Sequence, residues 1–517
     1  MLSSLDHIPH DVLHHIALLG ATPGYAPPVD LCCLLATCRA IYEGLNIHTS
    51  PHVYAGIFKL KYDATVACSQ RTDSSLASEL VQRCRALRRC RHLDLSLPGL
   101  RQDLWTLLWM VVEGGSRVPL CEARLSTFII ELAQYYLRED VRPHGELKSL
   151  VIWLFCLGVS RDDISLQNPE VRSTLVALLR PFVSTSVPPF TSPPPSFAVV
   201  FDPLHPADEA LMRYNLQICS PHLPPPASAA IILIFALKEA MVLQIPYHIP
   251  ATRAIAMAQN RIGPTAEDYT AFQHAITPLF SDVRAPAARR PSGTTTTTLN
   301  SMPDPWISEL LVPEHPTARD GAAHLVGSLS GVWEGAMMVS SVSTGNDPET
   351  FAPSDFLCRT PMQCELAEYF CFPPCTPLTL DGHAPSSESV VPRDLPSNFE
   401  LSPETFAYEK FAGEDLEHQR SRPILDHVLT GHTLQEHEDA WAAGGFNFTG
   451  RVHDDGVIVL TRRPKNDDSE VSEKWTFEGR LRYGTTLVGT FRSSSDGLCG
   501  VHGIFSMSKR TAAALKR

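Results

Sequence analysis

A change of hydrophobic period near residue 300 constrains this chain more than any other feature. Up to residue 283 the apolar side chains recur at helical spacing, whereas beyond residue 300 they alternate, as strands require. A pattern written for a helix does not settle as a strand, so two architectures must follow one another along the polypeptide. Between them Arg284 to Asn300 contains Ala-Pro-Ala-Ala-Arg-Arg-Pro-Ser-Gly and five threonines, a linker with little to bury. The length of 517 residues favours about three domains.

Residues 64 to about 182 read as a series of helices, at 76–92, 100–113, 120–137, 147–157 and 170–182, with Pro98, Pro119, Pro143 and Pro169 near expected starts. Val187 to Pro206 is too rich in proline for regular structure. Helical pattern returns at 209–219, 227–243, 251–262 and 266–280. Beyond the linker, 332–342 and 362–372 alternate, and the last 75 or so residues are dense in strand pattern. Asp454-Asp455-Gly456 marks a hairpin between 445–452 and 457–462, and 474–481, 486–492 and 503–507 follow. Consecutive strands joined by tight turns predict an antiparallel meander closing into a barrel. The segment 376–437, rich in Pro, Ser and acidic residues, reads as an inserted loop with one short helix.

The amino terminus carries more apolar surface than so short a segment can bury. Ile8-Pro9-His10-Asp11-Val12-Leu13-His14-His15-Ile16 places Val12, Leu13 and Ile16 at helical spacing. Asp30 to Tyr42 sets Leu31, Leu34, Leu35, Cys38, Ile41 and Tyr42 around more than half of a helix, and Val53 to Phe58 supplies a third segment. One apolar face is expected to pack inside this module and the other to meet a partner, because a module of ~40–50 residues is near the lower size limit for independent folding.

This arrangement resembles the F-box, the adaptor-binding module of cullin-RING ubiquitin ligases. The resemblance rests on Ile8-Pro9-x-Asp11-Val12-Leu13-x-x-Ile16 and Asp30-Leu31-x-x-Leu34-x-x-x-Cys38-Arg39-x-Ile41-Tyr42. Ile8 stands where Leu is usual, Tyr54 where Trp is common, and Gly20 to Pro28 makes a longer loop. The resemblance implies docking on the adaptor Skp1 through Ile8, Pro9, Val12, Leu13, Ile16, Leu31 and Leu34. An ordinary N-terminal helical hairpin is the alternative, since an apolar pattern alone does not separate the two.

The C-terminal part, roughly 325–510, is similar to the lipocalin-like barrel of F-box-only proteins widespread in mushroom-forming fungi, and to the cyclin D1-binding barrel of an animal F-box family. Gly331-Val332-Trp333-Glu334-Gly335, Phe448-x-Gly450, Asp455-Gly456, Trp475-x-Phe477-x-Gly479, Leu487-Val488-Gly489 and Gly503-x-Phe505 carry that similarity. The expected architecture is therefore α+β and multidomain. It comprises a three-helix F-box at 1–62, a helical middle domain at 63–283, the linker 284–300 and an antiparallel β-barrel at 301–517. Such a chain would be the substrate-recognition subunit of an SCF-type ligase, not itself an enzyme, joined through Skp1 to the cullin scaffold and to an unidentified protein substrate. The alternatives are a barrel that binds a small apolar ligand and an interaction scaffold outside any ligase.

Other chemistry finds no signature. Gly327-Ser328-Leu329-Ser330-Gly331 has the outline of a nucleophile elbow but Leu at the position that needs Ser. Neither phosphate-cradling glycine motif is present. Cys358, Cys364, Cys371 and Cys375 lack the paired knuckles of structural zinc sites and read as buried thiols. His7, His10, His14 and His15 could share a helix face but read as solvated or partner-facing, with no metal. No cofactor is indicated. The net charge of −13 argues against a nucleic-acid partner. Arg83, Arg85, Arg88, Arg89 and Arg91 read as the solvated face of a helix. The greasy run 227–237 is too short to span a bilayer, and no signal peptide or disulfide density is visible. These features predict an intracellular protein, cytoplasmic or nuclear, without a membrane partner.

Overall fold

The computed structural model describes residues 8–21, 28–62, 72–113, 117–138, 145–183, 226–241, 247–261, 263–284, 326–339, 359–373, 408–411, 424–441, 445–453, 456–465, 474–494 and 501–510, with 223, 225, 243 and 245. The expected helix at 209–219, the linker 284–300 beyond its first residue and most of the segment 376–437 lie outside these residues. Two compact units emerge. One comprises residues 1–163 with 198–223, and the other residues 164–197 with 224–517. The division falls inside the expected helical middle domain, so the helices beyond Asp163 belong with the barrel.

In the first unit α1 (His10–Ala21), α2 (Val29–Leu35), α3 (Arg39–Leu45) and α4 (Pro51–Lys61) form the amino-terminal module. The expected second segment is therefore two helices, broken at Ala36 to Cys38. Next come α5 (Asp73–His92), α6 (Leu100–Glu113), α7 (Arg117–Glu122), α8 (Leu125–Tyr136) and α9 (Gly145–Gly158), and the division falls within α10 (Arg161–Ser165). Thr72 caps α5, its hydroxyl accepting from the Ser75 N–H, which satisfies one of the unpaired donors of the first turn. Helix α9 buries eight consecutive residues from Leu150 to Leu157 together with Leu147, a two-sided burial that only a central helix can have.

The arginines of α5 correct the expectation of a solvated face. Arg83 is buried, ion-paired with Glu79 at 2.5 Å, and lies over the Phe58 and Tyr62 rings at 4.9 and 4.7 Å. Arg89 is buried as well. It bonds Asp103 at 2.6 Å and the carbonyls of Asp94, Ser96 and Pro98. Arg85 reaches the same fully buried Asp103 from the surface at 2.7 Å. Helical spacing turned Arg83 and Arg89 inward while Arg85 and Arg88 stay exposed, and buried carboxylates and rings made that burial tolerable.

The second unit is a closed, eight-stranded, antiparallel up-and-down barrel with helices on its wall. The strands are β1 (Gly331–Val339), β2 (Arg359–Cys371), β4 (Asp426–His432), β5 (Phe446–Val452), β6 (Val457–Pro464), β7 (Lys474–Arg482), β8 (Thr486–Ser494) and β9 (His502–Lys509). A short β3 (Tyr408–Lys410) extends β2 at one end. β9 pairs with β1, and β1 with β2, so no long edge remains open. Strand β4 falls in the segment expected to be an inserted loop. Its inward positions are His427, Leu429 and Gly431, so alternation was hidden by a histidine and a glycine.

The barrel interior is filled with side chains. Trp333, Met337, Cys364, Leu366, Leu429, Phe448, Ile458, Leu460, Phe477, Leu487, Phe491, Phe505 and Met507 make one buried cluster. Gly479 faces Gly489 across β7 and β8, and the Phe505 ring lies over both. A Cβ on Gly489 would collide with the Glu478 carbonyl and the Gly479 backbone, so glycine is required for the ring to reach that depth. Outside, α12 (Ala227–Glu239) buries every residue from Ala227 to Leu237 between α11 (Pro169–Leu179) and the outer face of β8 and β9. Arg482 Nε donates to Ser228 Oγ at 3.0 Å, fixing the helix on the wall. Among the described residues no helix is long and apolar enough to cross a membrane.

One end of the barrel is locked by Glu368. Its Oε1 accepts from the Leu329 and Ser330 N–H groups at 2.7 and 2.6 Å, and its Oε2 from Gly327 at 2.9 Å, with His427 Nε2 3.2 Å away. The motif with the outline of a nucleophile elbow is thus a turn that binds a carboxylate, and Leu329 also accepts the Trp333 indole N–H at 2.7 Å. Burial alone would raise the Glu368 carboxyl, but His427 and the backbone donors outweigh it and hold it below the ordinary glutamate value.

Two outcomes follow for stability. Gly489→Val should lower the unfolding free energy by about 3 kcal/mol in urea titration, because the backbone at that site has no room to move. Glu368→Gln should cost about 3 kcal/mol at pH 7, the loss of several charge-assisted hydrogen bonds. A depressed carboxyl contributes stability above the unfolded value of 4.5 and loses it as pH falls through the folded value. The gap between wild type and Glu368→Gln should therefore close in acid.

Candidate functional site

The surface that stands out is the outer face of α1. Pro9 directly precedes the helix, and its carbonyl accepts the first bond, from the Leu13 N–H at 3.0 Å. Asp11 sits in the first turn, where the exposed N–H dipoles favour a carboxylate. Leu13, Ala17 and Ala21 recur at four-residue intervals and are buried. Val12 and Ile16, on the opposite side, are each 44% exposed, and Leu19 continues their stripe at the surface. The helix therefore has two apolar faces, one packed inside the module and one in water.

The seven expected contact residues divide between these faces. Pro9, Val12 and Ile16 are exposed, while Ile8 and Leu34 are half-buried. Leu13 and Leu31 are only 5% and 2% exposed, so their side chains hold the module together instead of forming its surface. Val29 on α2 and Tyr42 on α3 are exposed too. Sequence reasoning passed over Leu19, Val29 and Tyr42 as contacts. For Leu19 the signal was present, three positions after Ile16 on the same stripe.

Beneath the face, Ile41, Leu45, Val53, Ile57 and Phe58 form the module's interior. Tyr54, at the position noted for its departure from Trp, donates its hydroxyl to the Leu45 carbonyl at 2.8 Å. Burial pushes that phenol up to about 12, so it stays a donor at any physiological pH. The residue thus supplies both an aromatic body and a tie to the end of α3.

The barrel offers a second, smaller feature at the end away from Glu368. Phe446 and Trp475 are partly buried there, with the Arg462 guanidinium carbon 4.2 Å and 4.6 Å from their ring centres. Phe446 with Phe448, and Trp475 with Phe477, lie two apart on their strands, so each pair is on one face of the sheet. Phe448 and Phe477 go into the core, whereas Phe446 and Trp475 reach the rim. Helix α13 (Gln435–Ala440) joins β4 to β5 near this end, and burial followed by Arg462 pushes its His437 down to about 4. Cys364 is a core thiol raised by burial to about 12, and Cys371 is buried as well. Cys358, Cys375 and His7 lie outside the described residues.

No family model matches this chain, and no curated protein or solved structure matches it either. Val12→Asp with Ile16→Asp should leave the unfolding midpoint nearly unchanged, within about 0.5 kcal/mol per site, as surface changes do. Leu13→Asp should unfold the module, because it buries an unpaired charge. Circular dichroism melts of the full chain would separate the two.

Proposed function

We propose that this chain is the substrate-recognition subunit of an SCF-type ubiquitin ligase. In this reading the outer face of α1, with Pro9, Val12 and Ile16 and the half-buried Ile8 and Leu34, docks on Skp1, and the barrel's loops hold a protein substrate. The observation that carries the reading is the exposed pair Val12 and Ile16 on a helix whose other face is already used. A soluble module gains nothing from leaving branched aliphatic side chains in water one turn apart unless another surface covers them. The resemblance of the surrounding residues to the F-box names the adaptor.

The chain would make and break no bonds. Holding a substrate lysine near a ubiquitin-charged enzyme on the cullin scaffold raises its effective concentration, and that is the whole of its catalytic contribution. Such a protein would act inside the cell. The rival reading of a small apolar ligand inside the barrel fares worse, because Trp333, Phe448, Phe477 and Phe505 already occupy the axis.

Co-purification with Skp1 tests the reading. The wild-type chain should retain the adaptor, and Val12→Asp with Ile16→Asp should weaken retention at least about tenfold, the scale of losing two interface anchors. Failure of the folded wild-type chain to hold Skp1 would overturn it and favour a scaffold outside any ligase.

A further inference from the structure

Helix α1 is fastened to its module by a polar chain whose proton positions can be assigned. Ser50 Oγ donates to the Gly44 carbonyl at 2.8 Å and also lies 3.1 Å from His14 Nε2. A hydroxyl has a single proton, so the second contact must be donated by the imidazole, which makes His14 the Nε2–H tautomer. Its Nδ1 is then an acceptor, and His52 Nε2, 3.2 Å away, must donate to it. The chain runs from α4 through α1 to the start of α4 and the end of α3. Gly44 also leaves room for the neighbouring His10 ring, since a Cβ there would stand 3.0 Å from His10 Cε1.

We propose that this chain is a pH-sensitive latch, closed while His14 and His52 are not both protonated, so that mild acid releases α1 and dismantles the face it presents. For its consequence the inference rests on the docking reading; the latch itself does not. His52 can accept a second proton on its far nitrogen and still donate. His14 can accept one only on Nδ1, and the contact then survives only while a neutral His52 turns its Nε2 into the acceptor; once both rings are protonated, two N–H groups oppose each other at 3.2 Å. The titratable groups acting on His14 are His52 from α4 and His10 and Asp11 from α1, while α3 contributes only the Gly44 carbonyl and α2 none. Asp11, which favours the charged form, is the weakest of these, and the histidines oppose it.

Burial first, then the His52 ring, hold His14 below its ordinary 6.5. A base depressed in the folded state binds its proton more readily once released. The latch therefore has full strength above pH 6.5 and weakens as pH falls below it. Val12 and Ile16 each lie two residues from His14, about 200° around the helix, so the latch positions the exposed stripe without touching it.

Nitrogen-15 spectra of the imidazoles and amide hydrogen exchange of residues 10–21, both on the full chain alone, test the latch directly. At pH 7.5 His14 should show the Nε2–H tautomer. Between pH 6.5 and 5.5 α1 should lose up to about tenfold in protection beyond the intrinsic change, the limit for one proton. Skp1 retention should fall in parallel. His14→Gln keeps a donor for Ser50 without a titrating group, so its profile should be flat. Ser50→Ala should loosen α1 already at pH 7.5. An Nδ1–H tautomer, or parallel loss of protection in wild type and His14→Gln, would overturn the latch. If Skp1 binds at no pH, the docking reading fails, while tautomer and exchange still decide the latch.

Discussion

The second unit depends on a buried carboxylate that closes one end of its barrel. Glu368 gathers three backbone N–H groups of the turn before β1, and that turn fixes where Trp333 enters the interior. An ionised group with no exposure is tolerable only when every lone pair has a donor. The turn, β2 and β4 therefore have one mutual arrangement, because moving any of them strands a charge in an apolar cavity. The closed sheet follows from this lock and from the alternation of inward rings.

The first unit is organised differently. Its interior is a stack of helices whose polar content is turned inward where it is paired, as with Arg83 on Glu79 and Arg89 on Asp103. The amino-terminal module meets this stack through α4 and α5. One face of α1 is used in the module's packing, and the other is left in water. This division gives the proposed docking role its physical basis: the inner face and the histidine chain hold the helix, leaving its outer face available to a second molecule.

Much of this was legible in the residues. Helix positions from 73 to 158 and the strands from 446 to 507 follow from periodicity, because their inward positions are consistently apolar. Strand β4 was not legible. Its interior position His427 is polar only because it meets Glu368, a partner 59 residues earlier that no local pattern reveals. The arginines of α5 misled for a similar reason, since Asp103 and the Phe58 and Tyr62 rings that receive them lie outside that helix, and only Glu79 is local to it. In the candidate face, sequence found Val12 and Ile16 but could not tell them from Leu13 and Leu31, as all four are apolar at helical spacing.

The sequence by itself determined the two classes of secondary structure, where one gives way to the other, and the excess of apolar surface at the amino terminus. These depend on spacing along the chain, which each segment carries within itself. Tertiary structure alone decided which apolar residues are used up in packing and which face water. It also decided which charges are buried and which tautomer His14 adopts, because each of these is settled by atoms contributed from elsewhere in the chain.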